Sequence, residues 1–150
     1  MRGKKLMMTP YVTQVDAAAL EELMRAAREA ARMSYSPYSG FRVGAALQLS
    51  SGEVVTGTNV ENVSFGLTIC AERAALVRAV SEFGPGIRIA AVAVTNLNGA
   101  ASPPCGACRQ MLAEFAEPKA PIIFPAAAGT LTMRFEEVLP LGFDMKIEKK

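Results

Sequence analysis

The first regular pattern along the chain is a stripe of apolar side chains at spacings of three and four residues. Its members are Leu20, Met24, Ala27 and Ala31. This spacing places them on one face of a helix, which we predict to run to about Ser34. Thr13 followed three residues later by Asp16 resembles a capping box with Asp in place of Glu, and it predicts where the helix begins. The helix carries no evident chemistry, so we expect it only to cover a sheet.

The remaining pattern consists of short apolar runs and two further helical stretches. A Gly-containing loop between residues 41–49 and 53–58 predicts a β-hairpin. The nearly unbroken apolar run at 87–95 is typical of a strand that is covered on both faces. Further helices are predicted at about 70–82 and 105–115, further strands at 121–125 and 130–135, and a helical turn at 135–139. Together these elements predict an α/β fold with three layers (α/β/α), in which a mixed sheet of about five strands carries helices on both faces.

Size and composition fit one globular domain. A chain of 150 residues, of which 51% are hydrophobic, can bury a core without covalent cross-links. We therefore predict a single domain over residues 1–150, with 1–12 and 145–150 as flexible tails.

The charge balance argues against nucleic acid as a partner. The 16 basic and 14 acidic residues leave a net charge of +2, whereas tight, sequence-blind binding needs a concentrated basic face. No apolar run approaches the roughly 18 residues of a membrane span, and the apolar start is too short for a signal peptide. The 3 cysteines, an odd number, argue against a disulfide framework. We therefore expect a cytoplasmic protein with reduced thiols, and neither nucleic acid nor membrane as its partner.

All three cysteines lie in two short motifs, Cys70-Ala71-Glu72-Arg73 and Pro104-Cys105-Gly106-Ala107-Cys108-Arg109. Because the chain has no histidine, these thiolates are the only soft ligands it offers to a transition metal. Structural zinc sites use four protein ligands, whereas catalytic sites use three and leave a position for water. Three thiolates therefore favour an open, catalytic zinc site. Glu72, two residues after the first cysteine, is the candidate that handles the protons of this water.

Both motifs are predicted at the starts of helices, where unpaired N–H groups favour thiolate over thiol. Zinc held by three thiolates would carry a net negative charge and be a weak Lewis acid unless charge is drawn off the sulfurs. Arg73 and Arg109 follow the cysteines closely, and we predict that at least one guanidinium donates to a ligand thiolate. The alternative is that both are ordinary residues of a helix surface.

The motifs match the zinc-deaminase signature, in which a ligand, any residue and a Glu are followed later by Pro-Cys-x-x-Cys. Together with the blocks at 41–46 and 59–62, they make residues 15–145 resemble the small cytidine deaminases of nucleoside salvage. The resemblance implies a cytidine-deaminase-like fold and one zinc ion per subunit, held by Cys70, Cys105 and Cys108. It also implies hydrolytic deamination of cytidine and deoxycytidine to uridine and deoxyuridine. Water attacks C4 of the cytosine ring, Glu72 shuttles the protons, and ammonia leaves.

The same resemblance assigns substrate contacts. It implies that Asn59 and Glu61 hydrogen-bond a ribose hydroxyl and that Phe41 packs near the pyrimidine ring. The Ala71 backbone N–H would contact the base carbonyl. The family is homotetrameric, and Phe143 would reach the site of a neighbouring subunit.

One position departs from the family pattern. Similar proteins commonly carry Ser or Thr where Pro103 stands, and the backbone carbonyl of that residue contacts the leaving amino group. Proline keeps its carbonyl, so the contact can survive, although the Pro103-Pro104 pair stiffens the loop.

Four alternative hypotheses for the function remain. A blasticidin-S-type aminonucleoside deaminase shares the zinc motifs, but the block containing Asn59 and Glu61 favours a plain ribose. A nucleic-acid-editing deaminase fits the weak positive charge poorly. A zinc-stapled structural module would need a fourth protein ligand, for which Glu72 is a candidate. A redox pair made of Cys105 and Cys108 would leave the first motif unexplained. The sequence is compatible with a preference for either cytidine or deoxycytidine as substrate, and with either a tetramer or a dimer.

Overall fold

The computed structural model describes residues 15–145. Asp16 is the N-cap of the first helix, and its carboxylate accepts a hydrogen bond from the Ala19 N–H at 2.8 Å. The prediction that Asp16 lies inside the first turn of a helix capped by Thr13 is therefore wrong, because Asp16 itself caps the helix by accepting from one of its free N–H groups. Thr13, the predicted tail at 1–12 and most of 145–150 lie outside the described residues.

The chain forms four helices and five strands over this range. The helices are α1 (Ala17–Ala31), α2 (Ala71–Phe83), α3 (Gly106–Ala113) and the single turn α4 (Phe135–Val138). The strands are β1 (Val43–Leu49), β2 (Val54–Thr58), β3 (Ile89–Asn96), β4 (Pro121–Ala126) and β5 (Gly129–Arg134). A turn of 3₁₀ helix, Phe65–Leu67, lies in the connection between β2 and α2. Within the described range, no helix is both long and apolar enough to cross a membrane.

The strands form one mixed sheet in the order β2-β1-β3-β4-β5. The pair β3–β4 is parallel, and the other neighbours are antiparallel. Helix α3 lies between β3 and β4 in the chain, as the crossover connection of a parallel pair requires. The predicted five-stranded mixed sheet is confirmed.

Helices cover both faces, because side chains of the central strands alternate between them. On one face, Leu23 and Ala27 of α1 pack on Ala46, Ala91 and Ala93. On the other face, α2 and α3 bury a larger cluster of aliphatic side chains. Its members include Ala45, Leu47, Val92, Val94, Ala75, Leu76 and Leu112. The three-layer arrangement predicted from the sequence is therefore confirmed.

Two strand glycines set how closely the helices approach the sheet. A Cβ built on Gly57 of β2 would lie 2.5 Å from the Ala71 carbonyl oxygen and 2.8 Å from Ala75 Cα, both in α2. A Cβ on Gly44 of β1 would lie 2.5 Å from the Ala31 nitrogen in α1. Helix backbones therefore pack directly on strand backbones. This contact sets the distance between α2 and the sheet, and the first turn of α2 carries functional side chains.

Candidate active site

The three cysteines converge at the starts of α2 and α3. Cys70 is the N-cap of α2 and Cys105 is the N-cap of α3, while Cys108 lies buried in the first turn of α3. Cys105 Sγ lies 3.9 Å from Cys70 Sγ and 3.4 Å from Cys108 Sγ, and all three sulfurs lie within 4.8 Å of one another. A tetrahedral ion with Zn–S bonds of about 2.3 Å separates its sulfurs by about 3.8 Å. The donor set therefore fits zinc.

The surroundings of Cys70 favour its thiolate. A hydrogen bond from the Cys108 thiol, opposed by partial burial and assisted by Arg73, lowers the pKa of Cys70 to about 5. The donating role and burial of Cys108 raise its own thiol pKa. Arg73 Nη2 lies 3.6 Å from Cys70 Sγ and also donates to the Thr68 carbonyl at 3.2 Å.

The second arginine is used differently. Arg109 donates from Nε to the Pro104 carbonyl at 2.7 Å and from Nη1 to the Val138 carbonyl at 3.0 Å. Its guanidinium ties the start of α3 to the C-terminal segment, so the predicted donation to a thiolate is made by Arg73 and not by Arg109. The reason is geometric, because these two backbone carbonyls lie within hydrogen-bond distance of the Arg109 side chain.

Glu72 occupies the first turn of α2 and is only 4% exposed. Burial is the main cause that raises the pKa of its carboxyl group, and the neighbouring Cys70 charge adds to this effect. A carboxyl group with a raised pKa exchanges protons more readily near neutral pH than an exposed one.

Cys70, Cys105 and Glu72 border a cavity of about 320 Å³. The predicted site residues in its wall are Phe41, Asn59, Cys70, Ala71, Glu72, Pro103 and Cys105. Sequence reasoning missed five further wall residues, namely Val43, Thr68, Val94, Ala101 and Ser102. The available signal was position in the sequence, because Val43 lies within the recognised block 41–46 and Ser102 directly precedes Pro103. The cavity is largely apolar with a few polar groups, as is usual for a small-molecule site.

Asn59 is 8% exposed, and its amide is already engaged by the protein. The carbonyl oxygen accepts from the Val43 N–H at 2.9 Å and from the Ser34 hydroxyl at 2.5 Å, and Nδ2 donates to the Phe41 carbonyl at 2.8 Å. An amide nitrogen carries two N–H groups, so one remains for a ligand.

Glu61 and Phe143 lie outside the cavity wall. The Glu61 carboxylate accepts from the Tyr38 and Ser39 N–H groups at 2.9 and 3.3 Å and from the Ser39 hydroxyl, which chiefly lowers its pKa. It borders a neighbouring groove, and Thr68 lines both the groove and the cavity. The Phe143 side chain is 73% exposed.

Residues 17–124 match the family model described as the cytidine and deoxycytidylate deaminase zinc-binding region. The cytidine deaminase of Halalkalibacterium halodurans is 42% identical over 123 residues, which are 81% of this chain and 91% of that protein. The cytidine deaminase of Mycobacterium tuberculosis is 52% identical over 88 residues, which are 59% of this chain and 65% of that protein.

Solved structures agree with the sequence comparisons. The crystal structure of cytidine deaminase from Mycobacterium tuberculosis has a TM-score of 0.74 at 39% identity, covering 88% of this chain and 100% of that one. The one from Burkholderia pseudomallei has a TM-score of 0.73 at 38% identity, covering 82% and 98%. With its three-cysteine cluster, matching fold and matching sequence, the chain belongs to the zinc-binding family of cytidine and deoxycytidylate deaminases.

Proposed function

We propose that this chain catalyses the hydrolytic deamination of cytidine and deoxycytidine to uridine and deoxyuridine, with release of ammonia. The single observation that carries the proposal is a cluster of three close sulfurs, two of which line the same cavity as the buried Glu72 carboxyl group. The product pair places the enzyme in nucleoside salvage. Free thiols would have to persist for this activity, which suits a reducing compartment such as the cytoplasm.

Cys70, Cys105 and Cys108 would hold the zinc ion. When bound, zinc supplies Lewis acidity that lowers the pKa of water and makes hydrolysis possible near neutral pH. Three thiolates weaken this acidity, and two features of the chain counteract them. One is the positive end of each helix dipole, and the other is the Arg73 guanidinium at 3.6 Å from Cys70 Sγ.

Glu72 performs the proton transfers. Its carboxylate takes a proton from the attacking water and delivers it to N3 of the ring while C4 accepts the oxygen. The new hydroxyl group on C4 then loses its proton through the same carboxyl group to the amino nitrogen, so that a C4 carbonyl forms as the C4–N bond breaks. Water is consumed, ammonia leaves, and Glu72 returns to its starting state.

The cavity wall provides recognition of a pyrimidine nucleoside. Phe41 lines the cavity, and its ring is proposed to pack against the base. The Ala71 N–H, at the first position of α2, has no intrahelical partner and is proposed to bind the base carbonyl. The Pro103 carbonyl is proposed to accept from the leaving amino group.

The sugar is proposed to extend from the cavity toward the adjoining groove. Asn59 lines the cavity, and Glu61 borders the groove that adjoins it at Thr68. Both would bind a ribose hydroxyl. The Glu61 carboxylate already accepts hydrogen bonds from residues 38 and 39, so fewer of its lone pairs are available to bind the ribose.

We also propose that the protein is a homo-oligomer, namely a tetramer, in which Phe143 reaches the site of a neighbouring copy. The support is a set of large, exposed apolar side chains. Val63, Phe65 and Leu67 lie in the connection before α2, and Leu141 and Phe143 in the C-terminal segment, each 65% exposed or more. Several large apolar side chains exposed within two short segments are typical of a surface that contacts another protein. Light scattering that reports a monomer at assay concentration would contradict this.

The competing zinc-stapled module is disfavoured by the cluster itself. Between residues 15 and 145, the metal-ligand group consists of three cysteines without a carboxylate. Such a site keeps a position for water.

The deciding experiment follows the ultraviolet absorbance of cytidine, deoxycytidine and blasticidin S with the purified protein, before and after a zinc chelator and after zinc is restored. We expect loss of cytidine and deoxycytidine absorbance that the chelator stops and zinc restores. Turnover of blasticidin S alone would favour the aminonucleoside deaminase. No turnover by a zinc-loaded protein would overturn the proposal.

A further inference from the structure

The segment that carries Phe41 runs between two asparagine side chains, one on each side of its backbone. It precedes β1, which begins at Val43, and includes Gly40, whose φ is +68°. Glycine tolerates this conformation readily, so the backbone can pivot just before Phe41 unless other contacts hold it.

Asn98 holds one side of the segment. Its Nδ2 donates to the Gly40 carbonyl at 3.1 Å, and its Oδ1 accepts from the Arg42 N–H at 2.9 Å. In a strand, the carbonyl of one residue and the N–H of the second residue after it point the same way. The Asn98 amide therefore replaces a peptide of a neighbouring strand, and it extends the β1–β3 ladder beyond the backbone bond from Leu97 to Arg42.

Asn59 holds the opposite side with the same pattern, one residue further along. Its bonds go to the Phe41 carbonyl and the Val43 N–H at 2.8 and 2.9 Å. The peptide groups on both flanks of Phe41 are thus fixed by side-chain amides, from two different parts of the chain. These bonds fix the direction of the Phe41 Cα–Cβ bond, from which the ring lines the cavity.

Asn96 anchors the loop from which Asn98 reaches out. It is 4% exposed, and its Oδ1 accepts from the Asn98 and Ala100 N–H groups at 2.9 and 3.2 Å. Its Nδ2 donates to the Ala100 carbonyl at 2.7 Å and to the Ser102 hydroxyl at 2.8 Å. Asn98 therefore extends from a loop that is itself well fixed.

We propose that Asn98 is a positioning residue for the substrate pocket, which acts by holding Phe41 against the bound pyrimidine. The inference rests on the proposed function, because it needs a nucleoside in this cavity. Asn98 is exposed, and its side-chain hydrogen bonds to this segment go to backbone groups, so its loss is expected to affect binding through Phe41 and to spare the zinc ligands.

The test measures cytidine binding by calorimetry in a Glu72→Gln background, where the substrate is not consumed. Loss of two hydrogen bonds predicts that Asn98→Ala weakens binding roughly 5- to 10-fold. In a Phe41→Ala background the same change is expected to have no further effect. Asn98→Asp, which keeps the acceptor for Arg42 but loses the donor to Gly40, should lie between.

Zinc content and melting temperature accompany each measurement, and Ser51→Ala serves as a matched control. That change removes an exposed side-chain bond to Glu53 in the hairpin turn, and it should leave cytidine affinity unchanged. Equal losses from Asn98→Ala in both backgrounds, or no loss in either, would overturn the inference. Absence of cytidine binding to the zinc-loaded Glu72→Gln protein would instead count against the proposed function. Should Asn98→Ala fail to fold, the Asn98→Asp comparison in the two backgrounds decides.

Discussion

Replacing Gly57 by alanine is expected to displace the helix that carries Cys70 and Glu72. The added Cβ would lie 2.5 Å from the Ala71 carbonyl oxygen, whereas ordinary contact begins at 3.4 Å, so α2 must move by about 1 Å. The obstacle is helix backbone on one side and strand backbone on the other, and neither can rotate away as a side chain does.

Two effects follow from this displacement. Overpacking of a well-packed site costs about 1–3 kcal/mol, which for a chain of this size lowers the melting temperature by about 3–10 °C. A 1 Å displacement of catalytic groups reduces activity by about 100-fold. We therefore expect Gly57→Ala to lose far more kcat/KM than its remaining folded fraction explains.

Calorimetric melting, zinc content and kcat/KM for cytidine, measured at one protein concentration, check this prediction. Gly44→Ala is the matched control, since its Cβ would push α1 on the opposite face of the sheet, 2.5 Å from the Ala31 nitrogen. It should lower the melting temperature while changing kcat/KM much less. Gly86→Ala, with open space around its Cβ, should change neither. A Gly57→Ala protein with the melting temperature and activity of the wild type would refute the reasoning.

Three further predictions concern the charged groups of the site. Glu72→Gln should retain zinc and lose about 10²- to 10⁴-fold in kcat, since it cannot carry protons; nearly intact turnover would remove Glu72 from its role. Arg73→Gln should raise the pKa of the Cys70 thiol in the metal-free protein, followed by ultraviolet thiolate absorbance, and weaken zinc binding by about 10- to 100-fold; an unchanged titration and zinc affinity would contradict the contact. Burial raises the pKa of Glu72 above its ordinary 4.5, so the metal-free folded state binds its proton more tightly than the unfolded state. The metal-free protein should therefore lose stability, relative to Glu72→Gln, as the pH rises from about 4.5 through the folded pKa. If the melting temperatures of the two metal-free proteins change in the same way with pH across this range, burial of the Glu72 carboxylate does not destabilise the fold.

The cluster of sulfurs could be anticipated because the chain offers few alternatives. With no histidine and 3 cysteines, a soft-metal site has one possible ligand set. Apolar periodicity likewise indicated the sheet and its covering helices, since burial on one or both faces follows directly from side-chain spacing.

Side-chain hydrogen bonds account for what the sequence could not show. The hairpin was predicted to begin at Phe41, yet β1 begins at Val43, because asparagine amides replace strand partners for the two residues before it. Arg109 turns to two carbonyls, and Glu61 binds the loop before β1. Such choices depend on which backbone groups remain unpaired nearby, and periodicity carries no information on that.

The spacing of the three sulfurs along the chain has a consequence for stability. Cys70 and Cys105 are separated by 35 positions, and the intervening segment contains α2 and the central strand β3. A bond that joins both ends closes a loop of this length and removes conformational entropy from the unfolded chain, worth about 4 kcal/mol by the estimate used for disulfides. An ion bound by these sulfurs is thus also a molecular cross-link between the starts of α2 and α3, and its binding stabilises the fold while it completes the active site.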